Sequence, residues 1–313
     1  MKSISLIIPA YNESANIAPL YEKLQTVLQP LRGRYTFEIL FVNDGSKDTT
    51  GEEVEKLMQK DTQVQCINFS RNFGKEIATT AGLNHCSGDA GMMLDADLQH
   101  PAELIPDFLD KWEKGADVVI GIREESRSDA WIKRVGGKIF YSILNKISDT
   151  EIIPNATDFR LLDRAVIDEF NRFTETKRLT RGLIDWLGFK RAYINFEAND
   201  RLHGTASYSV WKLTKLALHS FMSLSLFPLK VVGYIGILIT SLSFISGLYI
   251  FLGKYFFKWY WPLTFSDSED LAIFIVFLVG IMLMSIGLIS LYIANIHEEV
   301  IKRPLYIIRK ERR

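Results

Sequence analysis

Apolar and polar positions along this chain follow two patterns. Up to about residue 226, short apolar runs alternate with amphipathic stretches, whereas the runs 231–253 and 271–296 contain no Asp, Glu, Lys or Arg. Ser3–Ala10 (SISLIIPA) is short, rich in β-branched residues and stopped by Pro9, which predicts a buried strand. From Asn12 to about Leu28 the apolar residues recur at helical spacing, with Asn12 or Ser14 as the cap. Thr36–Val42, Val64–Phe69, Gly91–Leu94 and Asp117–Ile122 read as further strands, and helices fit near 48–60, 73–85 and 101–114. After Arg123 the pattern is less regular. It predicts helix over Ala130–Ser148, strand over Phe159–Leu162, helix over Asp163–Phe173 and strand over Arg191–Ala198. Ser209–Phe227 is an amphipathic helix that either lies along a membrane surface or packs on a core.

Strand and helix in alternation imply a mostly parallel sheet with helices on both faces. In such sheets ligands sit beyond the carboxyl ends of the strands. Four polar clusters fall there: Tyr11-Asn12-Glu13, Asn43-Asp44, Ser70-Arg71-Asn72 and Asp95-Ala96-Asp97.

The two uncharged runs each exceed the roughly 20 apolar residues that a helix needs to cross a hydrocarbon core. Their connector, 254–270, holds Tyr255, Phe256, Phe257, Trp259, Tyr260 and Trp261, an interfacial type of composition. Lys212, Lys215 and Lys230 precede the first run, and Lys302, Arg303, Arg309, Lys310, Arg312 and Arg313 follow the second. The positive-inside rule then gives a two-helix transmembrane hairpin in the inner (cytoplasmic) membrane, multi-pass, with both termini and the first domain cytoplasmic. The expected division is a catalytic domain over 1–208, a juxtamembrane helix over 209–226, the hairpin over 227–298 and a basic tail over 299–313.

The 313 residues carry 37 basic and 37 acidic side chains and are 48% hydrophobic. That composition excludes a disordered chain, and zero net charge gives no sign of nucleic-acid binding. Cys66 and Cys86 read as structural thiols in a reducing compartment. The apolar stretch Ile4–Ile8 is too short for a signal peptide.

Asp95 and Asp97 stand two residues apart at a strand end, where their side chains can face the same way. Two carboxylates so placed repel unless a cation lies between them. Hard oxygen ligands favour Mg²⁺ or Mn²⁺ with a diphosphate completing the shell. The bland alternative is one helix cap and one solvated carboxylate. Asp44 before Gly45 is either a turn residue or an acceptor for a nucleobase edge. Arg123, Arg160 and Arg201 suit phosphate contacts, as does His203 beside Gly204; each alone also fits a surface role. No Walker motif, no GxGxxG after a strand, no zinc spacing and no GxSxG occurs.

IIPAYNE (7–13), FVNDGSKDTT (41–50), SRNFGKE (70–76), LDADLQHP (94–101), VVIGIR (118–123), TDFRLLDR (157–164) and RGLIDWLGF (181–189) together resemble the family 2 inverting glycosyltransferases. Within them the chain is most similar to the polyprenyl-phosphate glycosyltransferases, the bactoprenol glucosyl transferases and dolichol-phosphate mannose synthases. The resemblance implies an α/β GT-A fold, Rossmann-like, and a metal-dependent hexosyltransferase. It assigns the nucleoside to Pro9, Tyr11, Glu13 and Asp44, the ribose, metal and diphosphate to Asp95, Ala96 and Asp97, and phosphates to Arg123 and Arg201. It puts Asp158 and Arg160 where the family places catalytic or acceptor-phosphate residues. The chain departs from the RxxGxSKY of mannose synthases, having Ser207 in place of Lys, which favours the bactoprenol branch. QxxRW, the mark of processive synthases, is absent.

The implied reaction is a single displacement that moves a hexose from a nucleotide sugar, UDP-glucose favoured, to undecaprenyl phosphate at the cytoplasmic membrane face. The metal on Asp97 and the Arg201 charge would stabilise the leaving diphosphate. The acceptor phosphate would meet Arg160 or Lys212. GDP-mannose as donor, a lipid hydroxyl as acceptor, a membrane scaffold with a dead nucleotide site and a small transporter are the alternatives. A homo-oligomer is left open.

Overall fold

The structure is a computed structural model that describes residues 1–124, 153, 155–175, 178–197, 303–309 and single or paired helical positions between 271 and 301. The chain divides into two units, Met1–Ser209 with Arg303–Arg313, and Val210–Lys302.

In the first unit the elements follow in the order β1 (Lys2–Ala10), α1 (Ser14–Leu28), β2 (Tyr35–Asn43), α2 (Thr50–Lys60), β3 (Val64–Asn68), α3 (Lys75–His85), β4 (Ala90–Met93), α4 (Ile105–Glu113), β5 (Val118–Arg123), β6 (Ala156–Asp163), α5 (Arg164–Asn171), α6 (Thr180–Trp186) and β7 (Arg191–Phe196). They build a seven-stranded sheet in the order β3-β2-β1-β4-β6-β5-β7. All neighbours are parallel except β6, which runs antiparallel to both β4 and β5. The mostly parallel α/β sheet expected from the pattern is therefore present, with one reversed strand inside it.

Alternate residues of β1 explain the two layers. Ile4, Leu6 and Ile8 face α1, α2 and α4, where Leu20, Leu24, Val54, Phe108 and Trp112 are buried with them. Ile7 faces the other way, into a second cluster with Ala78 and Ala81 of α3 and Val166, Ile167 and Phe170 of α5. A strand buried on both faces has to be apolar at nearly every position, as SISLIIPA is.

The start of α1 and the interior of β6 show local chemistry overriding simple pattern. Glu13, not Asn12 or Ser14, is the residue before α1, and Asn12 takes a left-handed φ of 56° in the preceding turn. Between β5 and β6, Ile120 pairs with Arg160 and Ile122 with Ala156. Thr157, Asp158 and Phe159 thus stand opposite Gly121 alone, a bulge of the kind that re-aims side chains near sites. Gly121 is required there, because a Cβ would sit 3.1 Å from the Phe159 carbonyl oxygen and 2.9 Å from the Phe196 ring.

Arg160 fixes this bulge from behind. Its guanidinium is fully buried; Nε donates to the Thr157 carbonyl (3.0 Å), Nη1 to Asp185 Oδ1 (2.8 Å) and Nη2 to Asp185 Oδ2 (3.4 Å).

Among the described residues, no helix is long and apolar enough to cross a membrane. The expectation of a multi-pass inner-membrane protein with cytoplasmic domain and termini is corrected by this finding, and a transmembrane hairpin is not part of the described fold. In the second unit, helical positions are described singly or in pairs between 271 and 301, Leu271, Ile275, Met282 and Ile293 among them. The run 231–253, the helices expected over 130–148 and 209–227, Arg201, His203 and Lys212 lie outside the described residues. Neither Cys86, which is buried, nor Cys66, which is half-buried, is in a disulfide.

Removing one partner of a buried ion pair strands the other charge, at about 3–5 kcal/mol. Asp185→Ala is expected to lower stability by that amount in urea denaturation, and the double change Arg160→Met/Asp185→Leu to recover most of it. An Asp185→Ala loss under about 1 kcal/mol would mean that the pair is not buried in solution.

Candidate active site

The carboxyl ends of β1 and β2 are tied into one ledge. Asn12 N–H donates to Ser46 Oγ (3.0 Å), Lys47 N–H to Asn12 Oδ1 (2.8 Å), Glu13 N–H to Thr50 Oγ1 (2.9 Å) and Ser14 N–H to Asp48 Oδ2 (3.2 Å). This lattice fixes Tyr11, which stays 39% exposed, and Glu13, whose Oε2 accepts from Asn16 Nδ2 (2.6 Å). Pro9 pairs with Val42 in the sheet below. Gly45 has φ 65°, and a Cβ there would collide with the Arg71 backbone at 2.3 Å, so the turn closes only with glycine.

Asp44 is buried and accepts two backbone N–H groups, from Phe73 at 2.7 Å and Gly74 at 2.9 Å. Burial raises its pKa; the two N–H groups and Arg71 oppose that rise. Pro9, Tyr11, Glu13 and Asp44 are thus gathered at one edge of the sheet, as the sequence reading grouped them.

A second cluster forms where β4 meets β6. The antiparallel register pairs Met93 with Arg160. Continued two residues, it sets Asp95 across from Asp158. Lys75, the first residue of α3, joins them: its Nζ lies 2.6 Å from Asp95 Oδ1 and 2.9 Å from Asp158 Oδ2. Arg181 Nε holds the other oxygen of Asp158 at 3.0 Å. Burial alone would raise Asp158, but Lys75 and Arg181 outweigh it and bring its pKa down to about 2. Burial alone would lower Lys75, but Asp95 and Asp158 outweigh it and push it above the ordinary lysine range.

His100 closes the floor. It is buried and stacked on Phe159 with ring centroids 4.9 Å apart. Burial lowers its pKa, so the ring is neutral. Asp95 N–H donates to Nδ1 (3.1 Å), leaving the proton on Nε2, which faces Asp95 Oδ2 at 3.7 Å. Ala96 is buried between the two aspartates, and Asp97 Oδ1 accepts from Gln99 N–H at 3.2 Å.

The structure therefore brings Asp95, Ala96, Asp97 and Asp158 together. It places Arg123 exposed at the end of β5. Arg160 is on the far side of the bulge, enclosed with Asp185. Lys75, Arg181 and His100 were not singled out from sequence, although all three stand inside quoted motifs: SRNFGKE, RGLIDWLGF and LDADLQHP. Their signal was present, but their partners are 83, 23 and 5 residues away, from Lys75 and Arg181 to Asp158 and from His100 to Asp95.

Asp95 and Asp97 are partly exposed oxygen donors of the kind hard divalent cations take. Among the described residues no group of three or more His, Cys, Asp or Glu side chains forms a cage. Two carboxylates fit a cation that draws the rest of its shell from phosphates and water, not a resident all-protein site. Such a cation would compete with Lys75 for Asp95.

A carboxylate whose folded pKa lies below its unfolded value stabilises the fold above the unfolded pKa, and loses that contribution as pH falls through the folded pKa. For Asp158 the window runs from about 4 down to about 2 and is worth roughly 2 kcal/mol. In Lys75→Met the Asp158 carboxyl is expected to titrate closer to the ordinary carboxylate range by carbon NMR, and the acid loss of stability to shrink. An unmoved midpoint would mean that Lys75 does not hold Asp158.

The Glycosyl transferase family 2 model matches residues 5–170. The chain is 39% identical over 314 residues to an SfII prophage-derived bactoprenol glucosyl transferase of Shigella flexneri, covering 99% of this chain and 98% of the relative. It is 38% identical over 305 residues to an uncharacterised glycosyltransferase of Synechocystis, covering 97% of this chain and 94% of the relative. Among solved structures it resembles mannosyl-3-phosphoglycerate synthase from Rubrobacter xylanophilus, with a TM-score of 0.51, 16% identity and coverage of 71% and 73% of the two chains, a likeness of fold. A GT-A-like sheet carrying these motifs at its carboxyl edge, a family model over more than half the length and relatives matched end to end lead to one assignment: the chain belongs to glycosyl transferase family 2.

Proposed function

We propose that this chain transfers a hexose from a nucleotide sugar, UDP-glucose in the first instance, to a polyprenyl phosphate such as undecaprenyl phosphate, with inversion at the anomeric carbon. The names of its bactoprenol glucosyl transferase relatives support a lipid carrier as acceptor. The observation that carries the reading is the state of Asp158.

A hydroxyl nucleophile is served best by a general base whose pKa lies near the working pH. Asp158, at about 2 and held by Lys75 and Arg181, is far too weak a base for that task. A phosphate monoester needs no such help, because its second pKa is near 6 and it is already anionic at neutral pH. What it needs is positive charge, and Lys75 and Arg181 supply it beside the carboxylate. This favours the phosphate over a lipid hydroxyl.

In this reading an acceptor phosphate oxygen attacks the anomeric carbon as the bond to the diphosphate oxygen breaks. The electron pair leaves with the nucleoside diphosphate, and no proton has to move. An α-linked donor gives a β-linked lipid-phosphate sugar. Tyr11, Glu13 and Asp44 with Pro9 bind the nucleoside, and Arg123, with Arg201 outside the described residues, binds the phosphates. Asp95 and Asp97 would hold Mg²⁺ or Mn²⁺, whose charge would compensate that of the leaving group. Arg160 acts as a positioning residue, holding the bulge that presents Asp158.

The test is a transfer assay in detergent with undecaprenyl phosphate, Mg²⁺ or Mn²⁺, and radiolabelled UDP-glucose or GDP-mannose in parallel. Label is expected in the lipid fraction from UDP-glucose and not in Asp97→Ala. Label from GDP-mannose alone would replace the donor. Asp158→Asn is expected to keep turnover within about 100-fold of wild type, the lower bound of a general base's contribution, while Arg181→Ala raises the acceptor KM. Complete loss in Asp158→Asn, with labelled lipid alcohol as the product, would overturn the phosphate acceptor.

A further inference from the structure

The last described residues of the chain return to the first unit and attach beside the proposed nucleoside site. Ile308 forms an antiparallel bridge with Phe69, just beyond the end of β3. Ser70 N–H donates to the Ile307 carbonyl (2.9 Å), and Arg309 N–H donates to the Asn68 carbonyl (2.7 Å). Tyr306 stacks on Phe69 with centroids 5.1 Å apart and planes 16° from parallel. Its hydroxyl meets His85 Nε2 at 3.1 Å and Asn84 Nδ2 at 3.3 Å, both at the far end of α3. The segment thus clamps α3 at its last turn and the β3–α3 loop at its first residues.

That loop is the one that holds Asp44. Phe69 stacks edge-on with Phe73 at 5.5 Å, and Arg71 lies over the Phe73 ring at 4.1 Å. Phe73 and Gly74 give their N–H groups to Asp44, and the next residue is Lys75. Arg309 also lines a cleft of about 970 Å³ with Gly45, Ser46 and Asp48, the turn that carries the Tyr11–Glu13 ledge. A loop of this length, with Gly74 at φ 101°, has many alternative conformations. Selecting one of them before the ligand arrives improves affinity by lowering the ordering cost of binding.

We propose that residues 303–309 are a strap belonging to the donor-binding apparatus, and that Tyr306 is a positioning residue that sets the β3–α3 loop, and through it Asp44, for the nucleoside. The proposal rests on the reading of Asp44 as a nucleoside contact. The strap acts on donor binding and leaves the displacement step itself alone, so its signature is a change in donor affinity separated from turnover.

The experiment uses the full chain and four forms: wild type, Tyr306→Ala, Tyr306→Phe and Arg309→Pro. The Phe variant keeps the ring on Phe69 and loses only the hydroxyl contacts. The Pro variant removes one backbone donor and leaves Tyr306 in place, which keeps the test alive if Tyr306→Ala does not fold. Binding of UDP and GDP is measured by calorimetry, donor KM and kcat by the transfer assay, and amide exchange over 69–77 by mass spectrometry. Tyr306→Ala is expected to weaken nucleoside diphosphate binding about tenfold, raise donor KM alike, keep kcat within about twofold and speed exchange over 69–77. Arg309→Pro should shift in the same direction, and Tyr306→Phe, which keeps the ring on Phe69 and loses the hydroxyl contacts to α3, should lie between wild type and Tyr306→Ala. Wild-type binding that is unchanged in both Tyr306→Ala and Arg309→Pro would overturn the strap. A fall in kcat at unchanged KM would overturn it too. No binding of either nucleotide by wild type would overturn the reading of Asp44, and the strap with it.

Discussion

An ammonium held between two carboxylates is the contact on which this site depends. Asp95 lies two residues beyond the end of β4 and Asp158 sits on its antiparallel neighbour, both near the same edge. Without a cation between them their charges would raise one pKa or separate the strands. Lys75 supplies that cation from a third element, the start of α3, and so joins β4, β6 and α3 at one point. The contact is also reversible in principle. An ammonium is a point charge on a flexible stem, and it could yield Asp95 to a divalent ion while keeping Asp158. The same group that holds the site together would then face an arriving phosphate.

The reversed strand makes the pairing available. In an all-parallel sheet the residues at the carboxyl edge come only from loops after the strands. Because β6 runs antiparallel, its beginning lies at that edge, and the bulge opposite Gly121 turns Asp158 there. The buried Arg160–Asp185 pair stands behind the bulge and ties it to α6, whose N-terminal turn carries Arg181. Two arginines 21 positions apart therefore divide the work. Arg160 holds the bulge that presents Asp158, and Arg181 joins Lys75 in keeping Asp158 ionised.

Most strands and long helices were legible in the sequence, since β1 and β2 are β-branched runs buried on both faces and α1 has apolar residues at Ile17, Leu20, Leu24 and Leu28. The grouping of Tyr11, Asp44 and Asp95 followed from alternation alone, because that pattern fixes which loops share an edge. The direction of β6 was not legible, as β4 and β6 are joined through β5 and a pairing between Ala90 and Asp163 leaves no local mark. Helix α6 was missed because its 7 residues contain Gly182 and give no period to read. Arg160 and Arg181 look alike on the page; burial separates them, and burial is a property of the tertiary fold.

Charge balance connects the site to its chemistry. Asp95 and Asp158 already occupy Lys75 and Arg181, and Asp97 adds a third carboxylate two residues from Asp95. A nucleoside diphosphate and a phosphate monoester would each bring further negative charge into the same space. In a partly desolvated cleft, like charges a few ångströms apart cost several kcal/mol (about 4 at 4 Å with an effective dielectric constant of 20). The protein's own cations do not offset both substrates, whereas a divalent ion at Asp95 and Asp97 would both neutralise the diphosphate and release Lys75 from one of its two carboxylates. Donor and cation would then prepare the site for the acceptor: an ammonium released from Asp95 would gain an unpaired face, and an anionic acceptor is the group that such a face would attract.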